Sequence, residues 1–177
     1  GESVAIFGAY AEYLCIQPDV ILPLPSTLSF AEAAPVCDGA VTSLNFLKNL
    51  GDIQPGQHVL INGAAGSLGT AAVQLAKHFG AQVAGVCSTP NIDLVKSLGA
   101  DSVIDYTQDD FTQYENAYDI IYDTVGKSSF TKCKSALTEN GLYLSPVLGL
   151  PLLLQMLRTS FVGTKKAKFS ATGALPT

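Results

Sequence analysis

The sequence predicts an α/β fold, with a doubly wound parallel sheet of about six strands and helices on both faces. Two observations predict it. Strand-like and helix-like patterns alternate from residue 58 onward, and a glycine-rich turn joins a strand to a helix at 58–80. Strands separated by helices imply right-handed crossovers and parallel pairing. Hydrophobic residues make up 47% and charged residues 14% of the chain, which permits a large core and argues against disorder.

Each predicted element rests on a local pattern. Short apolar runs predict strands at 58–62, 82–86, 102–104, 118–122, 142–144 and 166–171. Helical spacing of apolar residues predicts helices at 29–50, 68–79, 91–98 and 128–137. Ser29 begins the first helix as its N-cap, with Glu32 in capping-box spacing. Gly80 and Gly99 end the second and third helices.

The glycine-rich turn carries the most specific chemical signal. Gly63, Gly66 and Gly69 fall three residues apart between a predicted strand and a predicted helix. Such a turn lets backbone N–H groups approach a pyrophosphate, and the helix N-terminus adds unpaired donors and partial positive charge. The predicted pyrophosphate-binding residues are Ala64, Ala65, Gly66, Ser67, Leu68 and Gly69. Ala64 departs from the strict G-x-G-x-x-G pattern, and a turn that only packs a helix on a sheet is the alternative interpretation.

Several longer segments resemble one family. The chain is similar to the medium-chain dehydrogenase/reductase superfamily, above all its zinc-free quinone oxidoreductase-like branch, over GDIQPGQHVLINGAAGSLGTAAVQLAKHFGAQVAGVCST, LVKSLGADSVIDY, YDIIYDTVG, GAYAEYLCI and AEAAPVCDGAVTSLNFL. The resemblance implies an oxidoreductase that transfers hydride from NADP(H) to a quinone or an α,β-unsaturated carbonyl. It implies that 1–28 are a remnant of a GroES-like catalytic β domain. Residues 29–177 would then be a Rossmann NAD(P)-binding domain without the C-terminal return segment, and we expect such a truncated chain to be inactive.

The end of the second predicted strand bears on the choice of nicotinamide cofactor. NAD-preferring domains place an acidic residue there to bind the ribose 2′-hydroxyl. Here Ser88, Thr89 and Asn91 occupy the place, and the first acid is Asp93. Hydroxyl and amide donors suit a 2′-phosphate, so the sequence favours NADP(H) over NAD(H), although the basic residue common in the family is absent. Turn capping is the alternative role for Ser88 and Thr89.

Four further contacts to the cofactor come from the resemblance alone. Tyr106 matches a family tyrosine beside the adenosine phosphate. Val125 and Gly126 match the residues that line the nicotinamide ribose at the end of a strand, and Thr42 matches a threonine near the nicotinamide. The alternatives are a strand-to-helix turn for the pair and a surface hydroxyl for Thr42.

Metal chemistry is not expected. A catalytic zinc needs Cys and His ligands, and neither His58, at the start of a strand, nor His78, on a helix, pairs with Cys37. Two other functions stay open: a non-catalytic nucleotide-binding or redox-sensing module, and a zinc-type alcohol dehydrogenase-like enzyme. We name no catalytic residue.

The net charge and the cysteine content limit which partners and which cellular compartment are expected. The net charge of −5 disfavours nucleic acid and anionic membrane surfaces. Four cysteines without a C-x-x-C pair are typical of reduced, buried side chains, which predicts a cytoplasmic protein. The family resemblance implies that its partner is a small electrophilic substrate. The apolar stretch 142–161 is interrupted by proline, glycine and polar residues, and we expect no membrane span.

The predicted last strand suggests how the chain assembles. A parallel sheet has two edges, and an unpaired edge can pair with a second copy. Residues 166–172 would form such an edge, just after an apolar segment, so we expect a homodimer through it. Lys166 and Lys168 oppose this prediction, because edge lysines discourage pairing.

Overall fold

A computed structural model describes residues 12, 13, 15 and 23–170. Six strands form one sheet in the order β3-β2-β1-β4-β5-β6, and every neighbouring pair is parallel. This arrangement confirms the predicted doubly wound α/β fold. The strands are β1 (His58–Asn62), β2 (Gln82–Cys87), β3 (Ser102–Asp105), β4 (Tyr118–Asp123), β5 (Leu137–Leu144) and β6 (Lys166–Lys168).

Helices cover both faces of the sheet, and each face has its own apolar core. One core joins β1, β2 and β4 to residues 30–50 and to helices α3 (Ser67–His78) and α4 (Ile92–Ser97). The other core joins the opposite face to the 3₁₀ turn Phe111–Gln113 and to helices α5 (Phe130–Cys133) and α6 (Leu150–Phe161). The central strands are therefore buried on both sides, as expected for parallel sheets.

The first helical segment contains two π-helical stretches. It comprises α1 (Phe30–Pro35), a π-helix at Val36–Ala40, α2 (Val41–Leu44) and a second π-helix at Asn45–Leu50. The predicted capping box is present: the Ser29 hydroxyl accepts from Glu32 N, and the Glu32 carboxylate accepts from Ser29 N at 2.8 Å. The first π-helix directly follows Pro35, which lacks the N–H that regular α-helical bonding requires. Phe46 stacks on Tyr122 of β4 with ring centroids 5.1 Å apart.

The predicted helix at 128–137 is wrong in extent. Only Phe130–Cys133 is helical, and Leu137 already belongs to β5, where it pairs with Tyr118 of β4. The register of this pair shifts between Tyr118 and Ile120. Backbone pairing with β4 thus takes residues from the helical pattern and makes β5 longer than the predicted 142–144.

Other boundaries differ by smaller amounts. A 3₁₀ turn at Thr89–Asn91 precedes α4, so the α-helix begins later than predicted. β6 ends at Lys168, before the predicted residue 171, which lies outside the described residues. Most of the predicted catalytic-domain remnant at 1–28 also lies outside them. Gly80 and Gly99 follow their helices with φ of +80° and +104°, as expected for helix-ending glycines.

The apolar stretch 142–161 is divided between a strand, a loop and a helix. β5 ends at Leu144, and α6 begins at Leu150. Within the described part of the chain, no helix is long and apolar enough to cross a membrane.

The prediction that all four cysteines are buried is wrong for two of them. Cys87 and Cys133 are buried free thiols, whereas Cys15 and Cys37 are exposed. Cys37 lies in the π-helix Val36–Ala40, in which Gly39 is the buried residue.

Candidate dinucleotide site

The glycine-rich turn lies where β1 ends, at the centre of the sheet. β1 pairs with β2 on one side and with β4 on the other, so the order of the strands reverses at this point. In open α/β sheets, ligands bind in the crevice outside the carboxyl ends of the strands at such a reversal.

Backbone hydrogen bonds hold the turn in one shape. The N–H groups of Gly63 and Ala64 both donate to Val86 O, at 3.1 and 2.9 Å. Gly66 N donates to Gly63 O at 3.0 Å. Gly63 has a φ of +82°, and a Cβ there would lie 2.7 Å from the Thr124 hydroxyl oxygen, so glycine is required for both reasons.

The start of α3 provides free donors. Gly66 is its N-cap and makes no side-chain capping bond, and Thr70 N is the first N–H of the helix to bond within it, to Gly66 O at 2.8 Å. The N–H groups of Ser67, Leu68 and Gly69 therefore have no acceptor inside the helix. They lie at the positive end of the helix dipole, which suits a phosphate group.

Two glycines of the turn have different roles. A Cβ on Gly69 would lie 2.0 Å from Gly63 O, so this glycine allows α3 to pack against the turn. A Cβ on Gly66 would meet only Gly63 O, at 3.4 Å, so the space beside Gly66 is open. The turn therefore fits the pyrophosphate of a dinucleotide, because a ligand can approach the Gly66 backbone closely.

Not every residue predicted in the turn faces this open space. Ala64 is fully buried and its N–H is already used by Val86, and Gly69 is buried beneath the turn. Ala65 and Leu68 pack partly against the core. Gly66 and Ser67 are exposed. Gly66, Ser67 and the free N–H groups at the start of α3 are therefore accessible to a ligand. Ala64 instead stabilises the turn from inside the core.

The four residues predicted for the adenosine end lie together after β2 and β3. Asn91 Nδ2 donates to Ser88 Oγ at 3.1 Å, and Tyr106 N donates to Cys87 O at 3.1 Å. Ser88 makes no side-chain capping bond to the 3₁₀ turn that follows it, so the capping alternative does not hold for Ser88. The Tyr106 side chain is 63% exposed and free to contact a ligand.

The sequence interpretation missed an acid at this end. Asp105 closes β3 in register with Cys87 of β2, and its carboxylate accepts a hydrogen bond from the Thr89 hydroxyl. Thr107 donates to the same carboxylate through its N–H, at 2.9 Å, and its hydroxyl, at 2.8 Å. The Thr89 bond first, and then the Thr107 N–H, hold the pKa of Asp105 below its ordinary value. Parallel register, which sequence spacing alone does not give, brings this carboxylate to Thr89.

One cavity joins residues that were predicted separately. It has a volume of about 530 Å³ and is lined by Gly63 of the turn, Tyr106 after β3 and Val125 after β4. Lys127, Lys132 and Asp110 also line it, so the cavity has two cations and one carboxylate that the sequence interpretation did not assign. Gly126 instead lines a neighbouring cavity of about 280 Å³, with Tyr143 and Ser145 of β5 and the loop after it.

A buried carboxylate organises the loop after β4. Asp123 is fully buried and accepts hydrogen bonds from four donors: Asn62 Nδ2 (2.9 Å), Gly126 N (3.0 Å), Ser128 N (2.8 Å) and the Tyr143 hydroxyl (2.9 Å). Burial, followed by the charge of Asp123, raises the pKa of Tyr143, which stays a neutral donor. Asp123 thereby ties β1, β5 and the loop that carries Val125 and Gly126 to one point.

Thr42 lies on the helical segment that packs against the turn. It is buried, with 6% of its surface exposed, so it is not a surface hydroxyl. Its neighbour Ser43 donates to Leu68 O at 2.8 Å. One turn earlier, a Cβ on Gly39 would lie 2.8 Å from Ser67 O. Gly39 and Ser43 fix the segment against the first turn of α3, and the sequence interpretation missed both.

This chain is similar to known proteins in sequence and in fold. Residues 67–151 match the zinc-binding dehydrogenase family. A 2-methylene-furan-3-one reductase of Solanum lycopersicum is 39% identical over 137 residues, covering 76% of this chain and 34% of that protein. The chloroplastic NADPH-dependent alkenal/one oxidoreductase of Arabidopsis thaliana is 35% identical over 122 residues, covering 68% of this chain and 31% of that protein.

A solved structure extends the likeness over nearly the whole chain. The quinone oxidoreductase from Coxiella burnetii superposes with a TM-score of 0.79 at 31% identity, covering 92% of this chain and 50% of that one. The chain belongs to the medium-chain dehydrogenase/reductase superfamily. Within that superfamily it falls in the quinone oxidoreductase-like branch. It spans about a third of the length of the two curated relatives and half of the solved structure.

The described part of the chain does not bring together side chains that could ligate zinc. No group of three or more His, Cys, Asp or Glu side chains that could hold a metal ion occurs among them. His58 begins β1, at the end of the strand away from the glycine-rich turn, and His78 is the last residue of α3.

Proposed function

We propose that this chain is the dinucleotide-binding domain of an NADP(H)-dependent oxidoreductase that reduces a small electrophilic substrate, a quinone or an α,β-unsaturated carbonyl. Bound NADPH would supply the hydride, and this chain's residues would bind and orient it. We also propose that 29–177 form the Rossmann domain and that 1–28 belong to a GroES-like catalytic domain. The protein would be cytoplasmic and work without zinc.

The geometry of the turn carries the proposal. Three N–H groups at the start of α3 lack acceptors inside the helix, and the space beside Gly66 is open. The cavity of about 530 Å³ leads from this turn to Tyr106 and Val125, as a ligand with an adenosine at one end requires. The substrate class follows relatives whose names specify a reductase, an NADPH-dependent alkenal/one oxidoreductase and a quinone oxidoreductase.

The loop after β4 would orient the nicotinamide half. Asp123 fixes Gly126 N and Ser128 N, and the Thr124 hydroxyl donates to Asn62 O at 2.8 Å. These bonds hold the loop before any ligand arrives, which lowers the entropic cost of positioning a reactive ring.

The preference for NADP(H) rests on the hydroxyl and amide groups after β2. Ser88 and Asn91 can donate to a 2′-phosphate, whereas the Thr89 hydroxyl proton is donated to Asp105, and no acid ends β2 itself. Asp105 places a carboxylate beside Thr89, and three hydrogen bonds from Thr89 and Thr107 already occupy its oxygens. NADPH should therefore bind more tightly than NADH.

A charge placed at this position tests the preference. Ser88→Asp should repel the 2′-phosphate and accept bonds from the ribose hydroxyls of NADH, which reverses the order of the two dissociation constants. Isothermal titration of the parent and the variant with both cofactors measures this reversal. Ser97→Asp, on the exposed end of α4, is the matched control and should leave the order unchanged. Equal affinities for NADPH and NADH in the parent would contradict the argument.

Turnover by the intact gene product tests the reaction class. NADPH oxidation should accelerate when a small quinone or an enone is added, and NADH should serve less well. Tight NADPH binding without oxidation by any member of a quinone and enone panel would instead favour a non-catalytic nucleotide-binding module.

We also propose a homodimer through the β6 edge. β6 is the last strand of the sheet, and the helix before it carries apolar side chains without cover in this chain. The most exposed of these are Leu150, Leu154 and Leu157, at 71%, 57% and 55%. Their contiguity favours burial against a second copy.

A further inference from the structure

A third cavity adjoins the one lined by Gly126, and the two share lining residues on α5 and α6. It has a volume of about 360 Å³ and opens between α5 and α6. Its walls include Lys134, which follows α5, and Lys165, which directly precedes β6. β5 also begins here, at Leu137, so the cavity is at the amino ends of the strands, whereas the glycine-rich turn is at their carboxyl ends.

The walls of this cavity are cationic. Lys134, Arg158 and Lys165 line it, and no acidic side chain does. They are three of the ten basic residues of a chain whose net charge is −5. The one salt bridge among the described residues joins Lys77 to Asp101 elsewhere, so no carboxylate there neutralises the three cations.

Hydrogen bonding leaves donors free in the cavity. Lys165 Nζ donates to Lys134 O at 2.8 Å and to Leu137 O at 2.7 Å, which fixes the ammonium and leaves one of its three N–H groups for a ligand. Gln155 Nε2 donates to Thr131 Oγ1 at 3.3 Å across the gap between α6 and α5, so the Thr131 hydroxyl can still donate. The Arg158 guanidinium makes no hydrogen bond to another described residue.

We propose that this cavity binds a small phosphomonoester. A phosphomonoester dianion has acceptor oxygens on several sides, and it matches a cavity lined by a guanidinium, two lysines and a hydroxyl, with no acidic side chain in its walls. The volume lies within the range of small-molecule sites, roughly 300–1,000 Å³. Because the three cations do not line the dinucleotide cavity, occupancy does not require the dinucleotide, and the binding proposal does not depend on the proposed function.

Nuclear magnetic resonance on the full chain can test this, because it reports which amides a ligand touches. We would titrate ¹⁵N-labelled protein with glycerol 3-phosphate and, as the neutral control, with glycerol. Saturable shifts should appear at Thr131, Lys134, Arg158, Thr164 and Lys165 with glycerol 3-phosphate alone. Arg158→Gln and Lys134→Gln should each weaken this binding about tenfold, whereas Lys96→Gln, at an exposed lysine of α4, should not.

Two results would overturn the proposal. Shifts confined to Ser67, Leu68 and Gly69 would show that phosphate is taken up at the start of α3 alone. Shifts at the cavity that persist unchanged in both Arg158→Gln and Lys134→Gln would show that its cations do not hold the ligand. Spectral dispersion of each variant confirms folding, and two independent variants keep the test valid if one misfolds.

Discussion

Asp123 is the residue that best links folding to the proposed binding site. A carboxylate that is removed from water is costly unless donors compensate it, and four donors do so here. Two of them, Gly126 N and Ser128 N, belong to the loop that would contact the dinucleotide. The same bonds therefore stabilise the fold and shape the loop.

Asp123→Asn should destabilise the protein by about 2–3 kcal/mol, because an amide offers one acceptor oxygen where the carboxylate offers two. Urea unfolding followed by circular dichroism measures the change. Asp93→Asn, at an exposed carboxylate of α4 without a hydrogen bond among the described residues, should stay within about 0.5 kcal/mol of the parent. A similar small effect for Asp123→Asn would refute the role given to the buried carboxylate.

The role of a residue was predictable from the sequence where that role depends on residues close to it in the chain. The glycine positions, the Ser29 capping box and the hydroxyls after β2 follow from local spacing. The contact between Thr89 and Asp105 does not, because sixteen positions separate them and only the parallel register of β2 with β3 joins them. Lys127 and Lys132 were missed for the same reason, since the cavity they line forms between separate loops.

At the level of secondary-structure elements, hydrogen bonds to the Asp101 carboxylate join α3 to β2. Its carboxylate accepts from Lys77 Nζ on α3 at 2.8 Å and from Val83 N on β2 at 2.6 Å. Lys77 first, and then the Val83 N–H, lower the pKa of Asp101 below the ordinary value. Both side chains are partly exposed, so solvent screens the ion pair and its contribution to stability is modest.

The sign of the pH dependence follows from that lowered pKa. A carboxyl group with a depressed folded-state pKa stabilises the fold above its unfolded pKa, about 4, and loses this contribution as the pH falls through its folded pKa. Asp101→Asn should therefore reduce the free energy of unfolding at pH 6, and the difference from the parent should shrink as the pH falls below about 4, until Asp101 is protonated in the folded state as well. Urea titrations across this range measure it, with Asp93→Asn as the control. A difference that grows on acidification would contradict the assignment.

Strands were predicted more accurately than helices, for a physical reason. β1 has the predicted bounds because its run of buried apolar residues is flanked by a turn on each side. The helix at 128–137 was overestimated because Leu137 pairs with Tyr118 and belongs to β5, a long-range contact that local spacing does not show. The π-helices of residues 30–50 had no signal other than Pro35, since they depend on packing of the segment against α3 and the sheet.

At the scale of the whole molecule, the sheet has two edges, at β3 and β6. The β6 edge is short, with three residues, and the Ala167 N–H donates to the Thr159 hydroxyl of α6 at 3.3 Å. The β6 backbone alone therefore offers few N–H and C=O groups for pairing with a second copy. The apolar face of α6 would have to supply most of the area in the proposed homodimer.

Sedimentation velocity at micromolar concentration should show a dimer, and Leu154→Lys should convert it to a monomer by placing a charge in the apolar contact. Leu94→Lys alters a leucine of α4 that is 45% exposed, away from β6, and should leave the dimer intact. A monomeric parent, or a dimer that Leu154→Lys does not weaken, would show that α6 is not the interface.

Gly66→Val tests whether the start of α3 would hold the pyrophosphate of NADPH. The fold should persist, because a Cβ at Gly66 meets only Gly63 O, at 3.4 Å, and the backbone there has an ordinary φ of −81°. The branched side chain would occupy the space of the phosphate. Gln74→Val adds the same side chain at an exposed position of α3 and should bind NADPH like the parent. Calorimetric titration should give no detectable NADPH binding to folded Gly66→Val, and an unchanged affinity in that variant would contradict the account.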